Sequence, residues 1–130
     1  MNAAVRYYSR SGNTKAIAEA IAKAAGAAAV SVDAADAALT GPADVLFVGG
    51  ALYAYGIDEH LSAYLNTLKK EDVKLAVIFS TTWISRHSIA LIKAALEEKG
   101  IPVAQEDFYV RGKPNAAKLE EAARFAEKYL

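Results

Sequence analysis

Short apolar runs alternate with helix-patterned segments along the whole chain, and few architectures accept that order. Ala3 to Tyr8 reads as a first strand, with Val5 and Tyr7 on one face. Asn13 to Ala25 reads as a helix, because Ile17, Ala18, Ile21 and Ala25 recur at helical spacing, and Gly26 closes it. Ala27 to Val32 gives a second strand, against the helix preference of its alanines. Asp33 to Leu39 has the length of a short helix, broken by Gly41-Pro42. Ala43 to Gly49 contains Val45-Leu46-Phe47-Val48, the continuous apolar run of a strand buried on both faces.

The second half repeats the pattern. Asp58 to Leu68 is expected to be helical, with Leu61, Leu65 and Leu68 inward. Leu75 to Phe79 is another apolar strand, and Ser88 to Lys99 a helix ended by Gly100 and Pro102. Val103 to Tyr109 is less apolar, as befits an edge strand. Asn115 to Leu130 closes the chain as a helix, with Leu119, Ala122, Ala123 and Ala126 inward. Five βα units imply an α/β fold, with a parallel sheet, right-handed crossovers and helices on both faces.

At 130 residues the chain is expected to form one domain spanning 1–130. Hydrophobic residues make up 54%, enough for a packed core. Fifteen basic residues balance fifteen acidic ones, so no global attraction draws the protein to nucleic acid or to an anionic membrane. The absence of cysteine excludes disulfides, thiol catalysis and cysteine-ligated metal clusters. No apolar run approaches the roughly 20 residues of a membrane helix. The N-terminal residues lack the pattern of a signal peptide, and the expected setting is the cytoplasm.

In an open parallel sheet, ligands bind beyond the carboxyl ends of the strands, where the strand order reverses. That directs attention to residues 9–14, 33–43, 49–58, 80–88 and 110–115. The first of these, Ser9-Arg10-Ser11-Gly12-Asn13-Thr14, joins the first strand to the first helix. Gly12 permits a sharp turn and close approach of the backbone to a ligand. Ser9, Ser11 and Thr14 offer hydroxyls, and the helix start offers free N–H groups and the positive end of its dipole. The set suits a phosphate dianion. The competing reading is a turn that merely caps the helix, although capping alone needs only one such residue. Neither the P-loop nor the Gly-x-Gly-x-x-Gly fingerprint is present, so a mononucleotide is the better fit.

Val5, Tyr7, Ser9, Gly12, Thr14, Ala18 and Ile21 together resemble the N-terminal signature of the flavodoxin family, in its short form; Arg6 departs from it. The resemblance implies a three-layer α/β/α sandwich with a five-stranded parallel sheet of order 2-1-3-4-5, and FMN across its carboxyl edge. It assigns the phosphate to residues 9–14, from Ser9 and Arg10 through Asn13 to Thr14. It also assigns one face of the flavin ring to the loop carrying Ala51, Leu52, Tyr53, Ala54, Tyr55 and Gly56. The other face goes to the loop carrying Ser80, Thr81, Thr82 and Trp83. Tyr55-Gly56 fits an aromatic followed by a glycine whose peptide can turn toward the ring, and Tyr53 is a second stacking candidate. Flat apolar rings favour Tyr and Trp faces in any case, but these side chains could equally be ordinary packed loop residues.

The function that follows is electron transfer between redox partner proteins by a monomeric FMN carrier. A small FMN-dependent oxidoreductase such as a quinone reductase is an alternative, although those chains are usually longer and oligomeric. A flavin-free, flavodoxin-shaped module that only binds a partner is another. No residue constellation points to side-chain catalysis or to a metal. His60 and His87 read as solvated helix-start residues, and Asp58-Glu59, Glu97-Glu98 and Glu120-Glu121 as helix surface. Family members are typically acidic, whereas this chain is neutral and places Arg10, Arg86, Arg111 and Lys113 in loops at the cofactor edge, with Lys15 one turn into the helix. Asp33, Asp36, Asp58 and Glu59 lie near the same edge. Either these are solvated charges, or Arg10 adds a cation to the phosphate site while Arg111 and Lys113 attract an acidic partner.

Overall fold

The computed structural model describes residues 1–53, 56–83 and 85–130. Five parallel strands form the sheet: β1 (Ala3–Tyr7), β2 (Ala29–Ser31), β3 (Val45–Tyr53), β5 (Ala76–Thr82) and β6 (Phe108–Arg111). Their spatial order is β2-β1-β3-β5-β6, and the two-residue β4 (Gly56–Ile57) pairs antiparallel with the end of β3. The five parallel strands thus follow the expected 2-1-3-4-5 pattern. Order reverses between β1 and β3, which are paired from Ala3↔Val45 to Tyr7↔Gly49.

The helices are α1 (Asn13–Ala25), α2 (Glu59–Thr67), α3 (His87–Glu98) and α4 (Ala116–Glu127). Strand alternation divides the core into two layers. Val5, Tyr7, Phe47, Val77 and Phe79 pack against Ile17, Ile21, Ala122 and Phe125 of α1 and α4. Leu46, Val48 and Ile78 pack against Leu61, Leu65, Ile92 and Leu96 of α2 and α3. Phe47 and Phe79 are fully buried, and each such side chain contributes about 1.5–3 kcal/mol by leaving water.

Several expected boundaries shift. Asp33 to Leu39 is a run of turns and bends, not a helix. A segment this short barely repays helix nucleation, and its Ala37 carbonyl accepts from the buried Arg6 guanidinium on β1, whose Nε donates at 2.6 Å. On α1, Ala22 is buried and Ala25 only half-buried. Phe125, not Ala123, carries the inward face of α4 together with Ala122 and Ala126. Both β3 and β5 run further than their apolar cores, through Gly49–Tyr53 and Ser80–Thr82, because the ladder Gly50↔Ser80 and Ala51↔Thr81 continues between them. No described helix is long and apolar enough to cross a membrane.

Candidate functional site

The carboxyl ends of β1, β3 and β5 open into a cleft of about 250 Å³ at the point where strand order reverses. Its first wall is the turn into α1. Gly12 has φ +93°, a conformation that other residues rarely adopt. The turn spends two hydroxyls on itself: Ser9 Oγ accepts from the Gly12 N–H at 2.9 Å, and Ser11 Oγ from the Asn13 N–H at 3.4 Å. The N–H groups of Thr14 and Lys15, next in the first helical turn, have no acceptor among the described residues. Ser9, Arg10, Ser11, Asn13 and Thr14 line the cleft.

The second wall is the end of β3, contributing Ala51, Leu52 and Tyr53. The Arg10 guanidinium stacks on the Tyr53 ring at 3.8 Å from its centroid. Arg10 also donates to Asp58 Oδ2 at 2.6 Å. Asp58 caps α2 through its other oxygen, Oδ1, which accepts from the His60 N–H at 2.7 Å and lies 2.8 Å from His60 Nδ1. The His60 ring stacks on Tyr8, with centroids 5.0 Å apart. Burial pushes the Asp58 carboxyl up, but the hydrogen bonds from Arg10 and His60 outweigh it and hold the group below the usual carboxylate range. Burial raises Tyr53, with Arg10 pulling the other way.

The third wall is the end of β5, with Thr81, Thr82 and Trp83. Thr81 and Thr14 share a hydrogen bond of 2.6 Å between their hydroxyls, joining this wall to the first. Trp83 is 69% exposed, an unusual state for a large aromatic, and its ring rests on Gly112, where φ is +77° and no side chain fits.

Eleven of the expected site residues therefore converge on one cleft. Gly12 shapes the turn, and Gly56 pairs with Tyr53 in the short β4. Ser80 is set apart: its hydroxyl is fully buried on the α3 side, donating to the Gly50 carbonyl at 2.5 Å and sharing a hydrogen bond with Ser88 Oγ at 2.6 Å. Ala54 and Tyr55 lie outside the described residues. Asp58 was expected on the helix surface; it is instead 3% exposed and ion-paired. Asp followed two positions later by His at a helix start could have signalled a cap. His87, Glu97, Glu98, Glu120 and Glu121 are exposed as expected. Among the described residues no cluster of three metal-ligating side chains occurs.

A larger groove of about 600 Å³ lies between α2 and α3, bordered by Ser62, Ala63, Asn66 and Glu98. Its walls are mainly helix flanks, with no aromatic side chain among the described residues, so the smaller cleft has the richer chemistry.

The flavodoxin domain model matches residues 4–127. This chain belongs to the flavodoxin family. A flavodoxin from the Archaea shares 27% identity over 99% of both chains, with a TM-score of 0.77. Flavodoxin 1 of Bacillus cereus shares 17% over 99% of this chain and 97% of that one, with a TM-score of 0.81. The rubredoxin oxygen:oxidoreductase of Desulfovibrio gigas shares 17%, covering 97% of this chain and 34% of that longer one, with a TM-score of 0.82. No curated protein sequence matches this one.

Membership in the flavodoxin family implies a flavin cofactor. The residues present fit one. Two acceptor-free N–H groups at the head of α1 suit a phosphate, and Tyr53 with the exposed Trp83 offers flat apolar surfaces to a ring.

Proposed function

We propose that the protein is an FMN-binding electron carrier that passes electrons between redox partner proteins. One observation carries the reading: the acceptor-free start of α1 opens into the same cleft as Tyr53 and Trp83. In this reading Ser11, Thr14 and the N–H groups of Thr14 and Lys15 hold the phosphate, with the helix dipole favouring its charge. Tyr53 and Trp83 hold the ring, and Ala51, Leu52 and Thr82 exclude water from its edge. FMN, when bound, supplies the redox chemistry; the chain fixes its position and surroundings.

Among the described residues lining the cleft, no side chains form a general acid–base pair, and a carrier needs none. The described residues leave Trp83 at the rim, where a partner can approach a ring edge. Arg111, paired with Thr82 at the end of β6, and Lys113 are exposed beside it and suit an acidic partner face. We place the carrier in the cytoplasm, as a monomer built from one domain.

The reading is tested by reducing the FMN-loaded protein chemically and mixing it with cytochrome c. A carrier delivers its electrons once, in proportion to protein. Sustained turnover of NAD(P)H with a quinone would favour the oxidoreductase alternative instead.

A further inference from the structure

Arg10 is the only charged side chain among the described residues lining the cleft. Its geometry departs from that of a simple phosphate ligand. The guanidinium lies over the Tyr53 ring and is held there by Asp58, which is buried and does not line the cleft. Asp58 is in turn fixed by capping α2 and by His60, whose ring is braced on Tyr8. The cation is thus anchored at the aromatic wall and presented to the cleft, with its counter-charge buried. Its side chain is 45% exposed, against 4% for Asp58.

We propose that the Asp58-anchored Arg10 is an electrostatic tuning residue that shifts the cleft's relative affinity toward the reduced flavin ring. The inference rests on the flavin reading above. Two electrons and one proton convert the neutral oxidised ring into an anion. A fixed cation on the cleft wall stabilises that anion and leaves the neutral ring nearly unaffected. Asp58 opposes the effect, more weakly because it does not line the cleft. Tyr53 and His60 are the titratable groups in contact with the pair, and both stay unchanged in the variants below.

The test measures the midpoint potential of the FMN-loaded protein, together with affinities for oxidised FMN, reduced FMN and riboflavin. Arg10→Met should lower the ratio of reduced to oxidised affinity about tenfold, equivalent to about 30 mV for a two-electron couple. Asp58→Asn, which keeps an N-cap side chain, should move the potential the opposite way. Arg10→Lys should stay near the wild-type potential, because it keeps the charge.

Unchanged potentials in Arg10→Met and Asp58→Asn would overturn the inference alone. So would an equal loss of affinity for both oxidation states of FMN with riboflavin unaffected, which would make Arg10 a phosphate ligand. Failure of folded wild-type protein to bind FMN would overturn the inference and the flavin reading together. Circular dichroism establishes the fold of each variant; should Asp58→Asn not fold, the contrast between Arg10→Met and Arg10→Lys decides.

Discussion

Thr14 and Thr81, 67 residues apart in sequence, share a buried hydrogen bond of 2.6 Å between their hydroxyls. It ties the first turn of α1 to the end of β5, so two walls of the cleft are fixed to each other. Both residues are almost fully buried, and losing either hydroxyl leaves the other unpaired. Thr14→Val and Thr81→Val should each cost about 1–2 kcal/mol. The double variant should cost less than their sum by about 0.5–1.5 kcal/mol. A urea-denaturation double-mutant cycle checks this, and strict additivity would mean the two hydroxyls do not interact.

Ser80 and Thr81 are neighbours with different duties. Ser80→Ala removes a hydroxyl held between the Gly50 carbonyl and Ser88, and should lower stability by about 1–3 kcal/mol. Affinity for FMN should change less than about twofold, because the hydroxyl faces α3 and not the cleft. Thermal melts and an FMN titration on the same variant separate the two effects.

Strand parity explains what the sequence could and could not convey here. Val77, Phe79 and Thr81 share one face of β5, while Ala76, Ile78 and Ser80 share the other. Grouping Ser80 with Thr81 as one hydroxyl loop misses that alternation, because β5 continues past its apolar residues to Thr82. Ending strands with their apolar residues likewise stops β3 at Gly49, although pairing with β5 carries it on to Ala51 and pairing with β4 to Tyr53. Local signals did place α1, from Asn13 to Ala25, because capping and helical periodicity agree there. They fail at Asp33 to Leu39, a segment too short to sustain a helix by itself, whose backbone answers a distant residue, Arg6, through the Ala37 carbonyl. The partnership of Arg10 with Asp58 was equally hidden, since nothing in either neighbourhood encodes a contact across 48 positions.

Asp58 gives a pH dependence with a definite sign. Its carboxyl is held below the usual range in the folded protein. The stability it contributes is therefore fully present above the unfolded value of about 3.9 and is lost as pH falls through the lower folded value. Asp58→Asn lacks this contribution, so wild type should be the more stable at pH 7 and the gap should close below about pH 4. Asp44 is also lowered but is present in both proteins and cancels. Denaturation at pH 7, 5, 4 and 3 checks the trend; a gap that widens in acid contradicts it.

Tyr64 offers a simple stabilising change. Its hydroxyl is buried with no hydrogen bond of ordinary length among the described residues, and the nearby Arg6 guanidinium only partly offsets its burial. Tyr64→Phe removes that desolvated group and keeps the ring, so stability should hold or rise by up to about 1 kcal/mol. A clear fall in melting temperature would mean that the hydroxyl has an interaction that outweighs its burial.

The central claim is that FMN sits in this cleft with its phosphate on the turn from Ser9 to Thr14. Trp83, the only tryptophan, stands at the rim and reports occupancy directly. The decisive measurement is titration of purified, flavin-free protein with FMN and with riboflavin, followed by Trp83 emission, on wild type and on a Ser11→Ala, Thr14→Ala double variant. The account predicts saturable one-to-one quenching by FMN, tighter than by riboflavin, and at least about tenfold weaker in the variant, the equivalent of one charge-assisted hydrogen bond. Folded wild-type protein whose emission ignores FMN, or a variant that binds FMN as well as wild type does, would contradict it.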